Sequence, residues 1–81
     1  MIVELDSIVL QTDLVSHGLK SGDIGTVVLA HEGGKGYEVE FMTLDGETVT
    51  VVSLLAAQVR PISAGEIAHV RRLEPAQSAG E

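Results

Sequence analysis

The stretch GLKSGDIGTVVLAHEGGKGYEVEF, Gly18 to Phe41, sets six glycines among two lysines and several acids. It reads either as a loop built to cradle phosphate or as the punctuation of a small β fold. A phosphate loop needs G-x-x-x-x-G-K-[ST] between a strand and a helix, so that backbone N–H groups and the helix N-terminus meet the anion. Here GGKG (Gly33–Gly36) lacks the Ser or Thr and lies between two strand-like runs. The G-x-G-x-x-G fingerprint is absent, and the run directly after Gly25 has no helical period. The glycines are therefore turn residues. Gly22 and Gly25 admit the chain to a strand, and the group around Gly34 reverses it.

Strands follow on both sides of these turns. YEVEFMT alternates, with Tyr37, Val39 and Phe41 on one face and Glu38 and Glu40 on the other. Before it lie DSIVLQ (Asp6–Gln11), a long polar loop, and GTVVLAHE (Gly25–Glu32). After it, Asp45-Gly46 is the preferred pair for a two-residue type I′ hairpin turn. The return strand TVTVVSL (Thr48–Leu54) loses alternation at Val51-Val52, which predicts a bulge or burial on both faces. LAAQ (Leu55–Gln58) suits a single 3₁₀ turn, and VRPI (Val59–Ile62) a last short strand with Pro61 at an edge. The order predicts an all-β protein, a small SH3-like five-stranded barrel over residues 1–62 with a 3₁₀ turn before the last strand.

A C-terminal extension follows at residues 63–73. Ser63 and Glu66 fit an S-x-x-E cap, and Ile67, Val70 and Leu73 would share one helical face, although EIAHVR also reads as a strand added at the sheet edge. Residues 74–81, EPAQSAGE, have no apolar anchor and read as a disordered tail.

Composition narrows the function. At 81 residues only roughly 60% of the unfolded surface can be buried. No cysteine is present to staple the fold or ligate zinc, and Tyr37 and Phe41 are the only aromatics, so the core must be aliphatic. Net charge −7 argues against nucleic acid and anionic membranes as partners. The N-terminus carries Glu4 and Asp6 where a signal peptide needs basic residues, and no apolar run is long enough to span a bilayer, so a cytoplasmic location is expected.

The segments LDSIVLQTDLVSHGLKSGDIGTVV and GYEVEFMTLDGETVTVVSLLAAQVRPI resemble a family of small prokaryotic proteins catalogued as a domain of unknown function. The shared pattern is GL-x-x-G-x-x-G-T-V-V, a YEVEF strand and an acidic-glycine turn, over residues 3–62. The resemblance implies an SH3-like fold and transfers no catalytic residue. GDIGTVV also resembles the start of the KOW motif of ribosomal and transcription proteins, whose nucleic-acid binders are basic.

No constellation of catalytic type stands out. Glu38, Glu40, Asp45 and Glu47 gather about one hairpin, but Glu38 and Glu40 fall on a solvent face, where carboxylates stay hydrated and have no cause for a shifted pKa. His17, His31 and His69 lack metal-ligand spacing, and no serine sits in a nucleophile elbow. Neither enzymatic activity, a cofactor nor a metal is expected. Peptide grooves and methyl-lysine cages of SH3-like folds need aromatics that this chain lacks.

An apolar surplus remains. If Ile8, Val27, Leu29, Val39, Phe41, Val49 and Val51 fill the interior, then Val28, Val52, Leu54 and Leu55 are left outside, rimmed by Glu38, Glu40 and Glu47. The expectation is a protein-interaction module acting through that strip, as an accessory subunit, a homodimer or a toxin-neutralising small protein. A KOW-like nucleic-acid module and an accessory barrel of an enzyme complex are the alternatives. Ile67 and Val70 would cover the strip if no partner did.

Overall fold

The alternation of YEVEF becomes β3 (Gly36–Met42), with Tyr37, Val39 and Phe41 buried and Glu38 and Glu40 facing out. It pairs antiparallel with β2 (Ile24–Ala30) on one side and β4 (Thr48–Leu55) on the other. The start of β2 pairs with β1 (Ser7–Leu10), and β1 pairs with β5 (Val59–Pro61). This computed structural model, which describes residues 1–73, is therefore all-β, with five antiparallel strands in one sheet ordered β4-β3-β2-β1-β5. A long first loop, two tight hairpins and a 3₁₀ turn at Ala56–Gln58 connect them, the order of an SH3-like barrel. The tail expected at 74–81 lies outside the described residues.

The interior is aliphatic around two rings. Ile8, Leu10, Val27, Val39, Leu54 and Val59 close on Tyr37 and Phe41, and Leu19 reaches in from the first loop. That loop is held by a backbone bridge between Leu14 and Leu19, by the Ser21 N–H donating to Asp13 (2.8 Å), and by the Lys20 N–H donating to Asp23 (2.8 Å).

Bulges decide which aliphatics reach this core, because one extra residue on a strand inverts its in-out phase. In β2 the register shifts between Val27 and Leu29. Leu29, expected inside, is thereby moved to the outer face opposite Glu38, and Ala30 packs against the core. In β4 the irregularity falls at Val49, beside the turn, and not at Val51-Val52. Alternation then runs unbroken to Leu55. Val52, opposite Val39, and Leu54, opposite Tyr37, point inward, while Val51, opposite Glu40, points outward. The expected strip of Val28, Val52, Leu54 and Leu55 is therefore not one surface: Leu54 is 4% exposed and Val52 packs on the core.

Two turn assignments also change. Asp45 does not have positive φ, so the hairpin is not type I′. The Gly46 N–H donates to the Thr43 carbonyl (3.0 Å) and the Thr43 N–H to the Glu47 carbonyl (2.8 Å), enclosing a three-residue loop with Gly46 alone left-handed at φ 97°. That is a type I turn followed by a glycine bulge. Gly25 is not a turn residue either. It lies in β2 opposite Ile8, where an added Cβ would stand 2.6 Å from Val39 Cγ1 and 2.9 Å from Phe41 Cε1.

Residues 63–73 form neither the helix nor the added strand expected of them. The Glu66 carboxylate does accept from the Ser63 N–H (2.7 Å), as a cap should. However, Gly65, in what would be the first helical turn, has φ 82°, which an α-helix does not admit. Glu66 is also engaged by both terminal nitrogens of Arg60. The segment instead crosses the barrel as a strap, with Ile67 92% and Val70 71% exposed, so these two do not cover an apolar face.

Two glycine substitutions test this packing. Gly25→Ala should destabilise the barrel by about 1–3 kcal/mol, since Val39 and Phe41 are fixed in the core and must yield to the methyl group. Gly46→Val should cost about 1 kcal/mol or more through left-handed strain alone, since no atom lies within 4 Å of its added Cβ. Chemical denaturation of both variants measures these costs. Unchanged midpoints would mean that the β2–β3 contact and the hairpin are misplaced.

Candidate functional site

The outer face of β2–β3–β4 brings together the acids and aliphatics that sequence reading singled out, in a different arrangement. Cross-strand register sets two rows: Leu29–Glu38–Ser53 and Thr26–Glu40–Val51. The acids form the middle strand, and Leu29 and Val51, each about half exposed, flank them on either side. Val28, on the bulge, and Leu55, at the end of β4, are exposed near the margins of the same three strands. Glu47 belongs to the hairpin turn beyond this face. The arrangement is an acidic spine with apolar flanks, the inverse of an apolar strip with an acidic rim.

The carboxylates are oriented by side chains that sequence reading missed. The Ser53 hydroxyl lies 2.7 Å from both oxygens of Glu38, and His31 Nε2 lies 2.8 Å from its Oε2. The Thr48 hydroxyl donates to Glu40 Oε2 at 2.6 Å. Contrary to expectation, Glu38 does not keep an ordinary pKa: the hydrogen bonds from Ser53 and then His31 hold it below the usual carboxylate range. Period-2 spacing along β4 puts Ser53 and Val51 on one face, but only the β3–β4 register shows which acid each one meets.

A second region lies under the strap. A cavity of about 940 Å³ opens between residues 66–73, the end of the first loop and the Thr43–Glu47 hairpin, with Val9, Leu19, Ile24 and Phe41 in its wall. Two arginine–carboxylate forks hold the strap. Arg60 binds Glu66 through Nη1 (3.0 Å) and Nη2 (2.6 Å), and Arg71 binds Asp23 through Nε (2.9 Å) and Nη2. Arg60 and Ser63 hold the Glu66 pKa down at about 2. At Asp23 burial works upward, but the Arg71 and Lys20 hydrogen bonds outweigh it and the pKa is lowered.

The histidines stay apart in role. His31 serves Glu38, while His69 lies on the strap. Among the described residues no group of three His, Cys, Asp or Glu side chains is placed to hold a metal ion, and no helix is long and apolar enough to cross a membrane.

Residues 4–61 match the family model described as a domain of unknown function, DUF4926, and the chain belongs to that family. The match ends with β5, so the barrel is the family unit and the strap follows it. No curated protein and no solved structure matches the chain.

The strap forks give a pH signature. Because the folded-state pKa of Glu66 is depressed from 4.5 to about 2, its contribution is present above pH 4.5 and is lost as pH falls toward 2. In an NMR titration, Glu66 should have a midpoint near 2 in the wild type and return toward 4.5 in Arg60→Gln. Ser53→Ala should raise the Glu38 midpoint in the same experiment. A Glu66 midpoint that ignores Arg60→Gln would remove the fork.

Proposed function

We propose that this member of the DUF4926 family is a non-enzymatic protein-interaction module whose docking surface is the outer face of β2–β3–β4. The observation that carries the reading is the acidic spine, Glu38 and Glu40, set between the exposed aliphatics Leu29 and Val51. Carboxylates already aimed by Ser53, His31 and Thr48 lose little freedom when a cation meets them, and aliphatics on either side contribute apolar area without competing for it. The partner that fits is a protein presenting Lys or Arg between apolar side chains. Charge complementarity of this kind raises the association rate and selects the partner.

Nucleic acid fits less well. Residues 1–62 carry nine acids against Lys20, Lys35 and Arg60. Arg60 and Arg71 are already engaged by Glu66 and Asp23. Non-specific phosphate binding needs several cations at once.

Affinity purification from the source cell, followed by titration of the recovered protein, tests the reading. Leu29→Glu and Glu40→Lys should each weaken the complex at least tenfold, and rising salt should weaken it as well. Capture of a partner whose affinity ignores both substitutions would move the site elsewhere on the barrel. A shift assay should detect no tight binding to RNA or DNA at physiological ionic strength. Tight, salt-sensitive binding there would favour a nucleic-acid module instead.

A further inference from the structure

The two edges of the sheet differ in what their backbones leave open. At β5 the residues facing away from β1 are Val59 and Pro61. The Val59 N–H donates to the Ala56 carbonyl, the Val59 carbonyl accepts from Gln11 Nε2 (3.2 Å), and Pro61 has no N–H. The Pro61 carbonyl accepts from Arg60 Nη1 (3.0 Å). That edge offers no donor to another strand.

The β4 edge is the opposite case. Residues alternate in an antiparallel ladder between bonding to one neighbour and to the other. The Ala56 N–H donates to the Lys35 carbonyl (3.1 Å), one step beyond the pair Gly36–Leu55, so Leu54, Val52 and Thr50 bond to β3. Val51, Ser53 and Leu55 then turn their backbone groups outward, where no described strand pairs with them. The Leu55 N–H is satisfied by Gln58 Oε1 (2.8 Å), leaving Val51 and Ser53. The strand TVTVVSLL is eight residues long, with β-branched side chains and no charge or proline. Edges normally carry such protections against pairing.

We infer that the β4 edge is a self-association site, at which a second copy of this chain adds its own β4 antiparallel. A two-fold axis at Val52 places Val51 opposite Ser53 of the second copy. The N–H and C=O of both residues are then satisfied in each chain. Self-pairing suits this strand in three ways. Identical uncharged edges meet without like charges at the contact. The acids sit one strand back on β3, about 14 Å from the second copy's β3. The blocked β5 edge prevents head-to-tail addition, so the assembly closes at two chains and does not grow into a filament.

The inference is independent of the acidic face, and salt separates the two. A basic partner on Glu38 and Glu40 is released by salt. The dimer should instead tighten as salt screens the acids of two chains that each carry net charge −7.

Sedimentation velocity of the full chain at micromolar to millimolar concentration should give twice the 8.5 kDa chain mass, with a dissociation constant that falls as salt rises. Val51→Pro removes an outward N–H and no hydrogen bond to β3, and should yield a monomer, with its Tm compared under conditions where the wild type is also monomeric. Leu29→Glu should leave the dimer intact. Amide exchange in the wild type supplies a reading that needs no variant: Val51 and Ser53 should become protected as concentration rises, and Val59 should not change. A wild-type monomer throughout the range would overturn the inference, even if a heterologous strand bound the edge. So would a dimer that survives Val51→Pro, or exchange at Val51 and Ser53 that ignores concentration.

Discussion

The barrel depends on how closely β2 can approach β3 at Gly25. A chain this short, with two aromatic rings, cannot fill a wide interior, so the strands must come together until aliphatic side chains meet across the centre. Gly25 makes that approach possible, because Val39 and Phe41 occupy the space where any other residue would place its Cβ. The same residue pairs with Ile8, so β2 is shared between β1 and β3 at the point of closest packing. Leu19 then seals the interior from the first loop.

Once the interior is fixed, two bulges sort the remaining aliphatics. The one at Val28 sends Leu29 outward, and the one at Val49 leaves β4 in regular alternation, with Val52 and Leu54 inside. These displacements create the mixed outer face. Had β2 kept its phase, Val28 would stand opposite Glu38 and Leu29 would lie in the core. The Val49 bulge sits beside the Thr43–Glu47 turn, whereas the Val28 bulge lies within β2, with two further pairs to β3 beyond it.

Polar accounting explains the rest of the surface. The β5 edge is closed by Pro61, Gln11 and the 3₁₀ turn, and the strap is tied by arginine–carboxylate forks at Arg60 and Arg71. β4 has no equivalent closure. The outer face and the open edge therefore meet at β4, whose side chains at Val51 and Ser53 belong to the face and whose outward backbone groups form the edge.

Much of the fold was legible in the sequence because it rests on local signals. The alternation of Tyr37 to Phe41, the glycine turns, Pro61 near an edge and the short LAAQ turn each act within a few residues, and together they determined five strands in the right order. The site was legible only in part. Glu38 and Glu40 could be placed outside from period-2 spacing, but the identity of their neighbours depends on register between strands. A one-residue bulge leaves no fixed mark in composition, yet it exchanges inside for outside along everything that follows. That is why Val52 and Leu54 were expected on the surface and Leu29 and Val51 in the core. The strap was misread for a related reason: Ser63 and Glu66 satisfy a helical cap locally, but positive φ at Gly65 and the distant Arg60 decide the backbone. Sequence determined which elements form. Tertiary pairing decided their phase, because the face a side chain takes is set by the strand beside it.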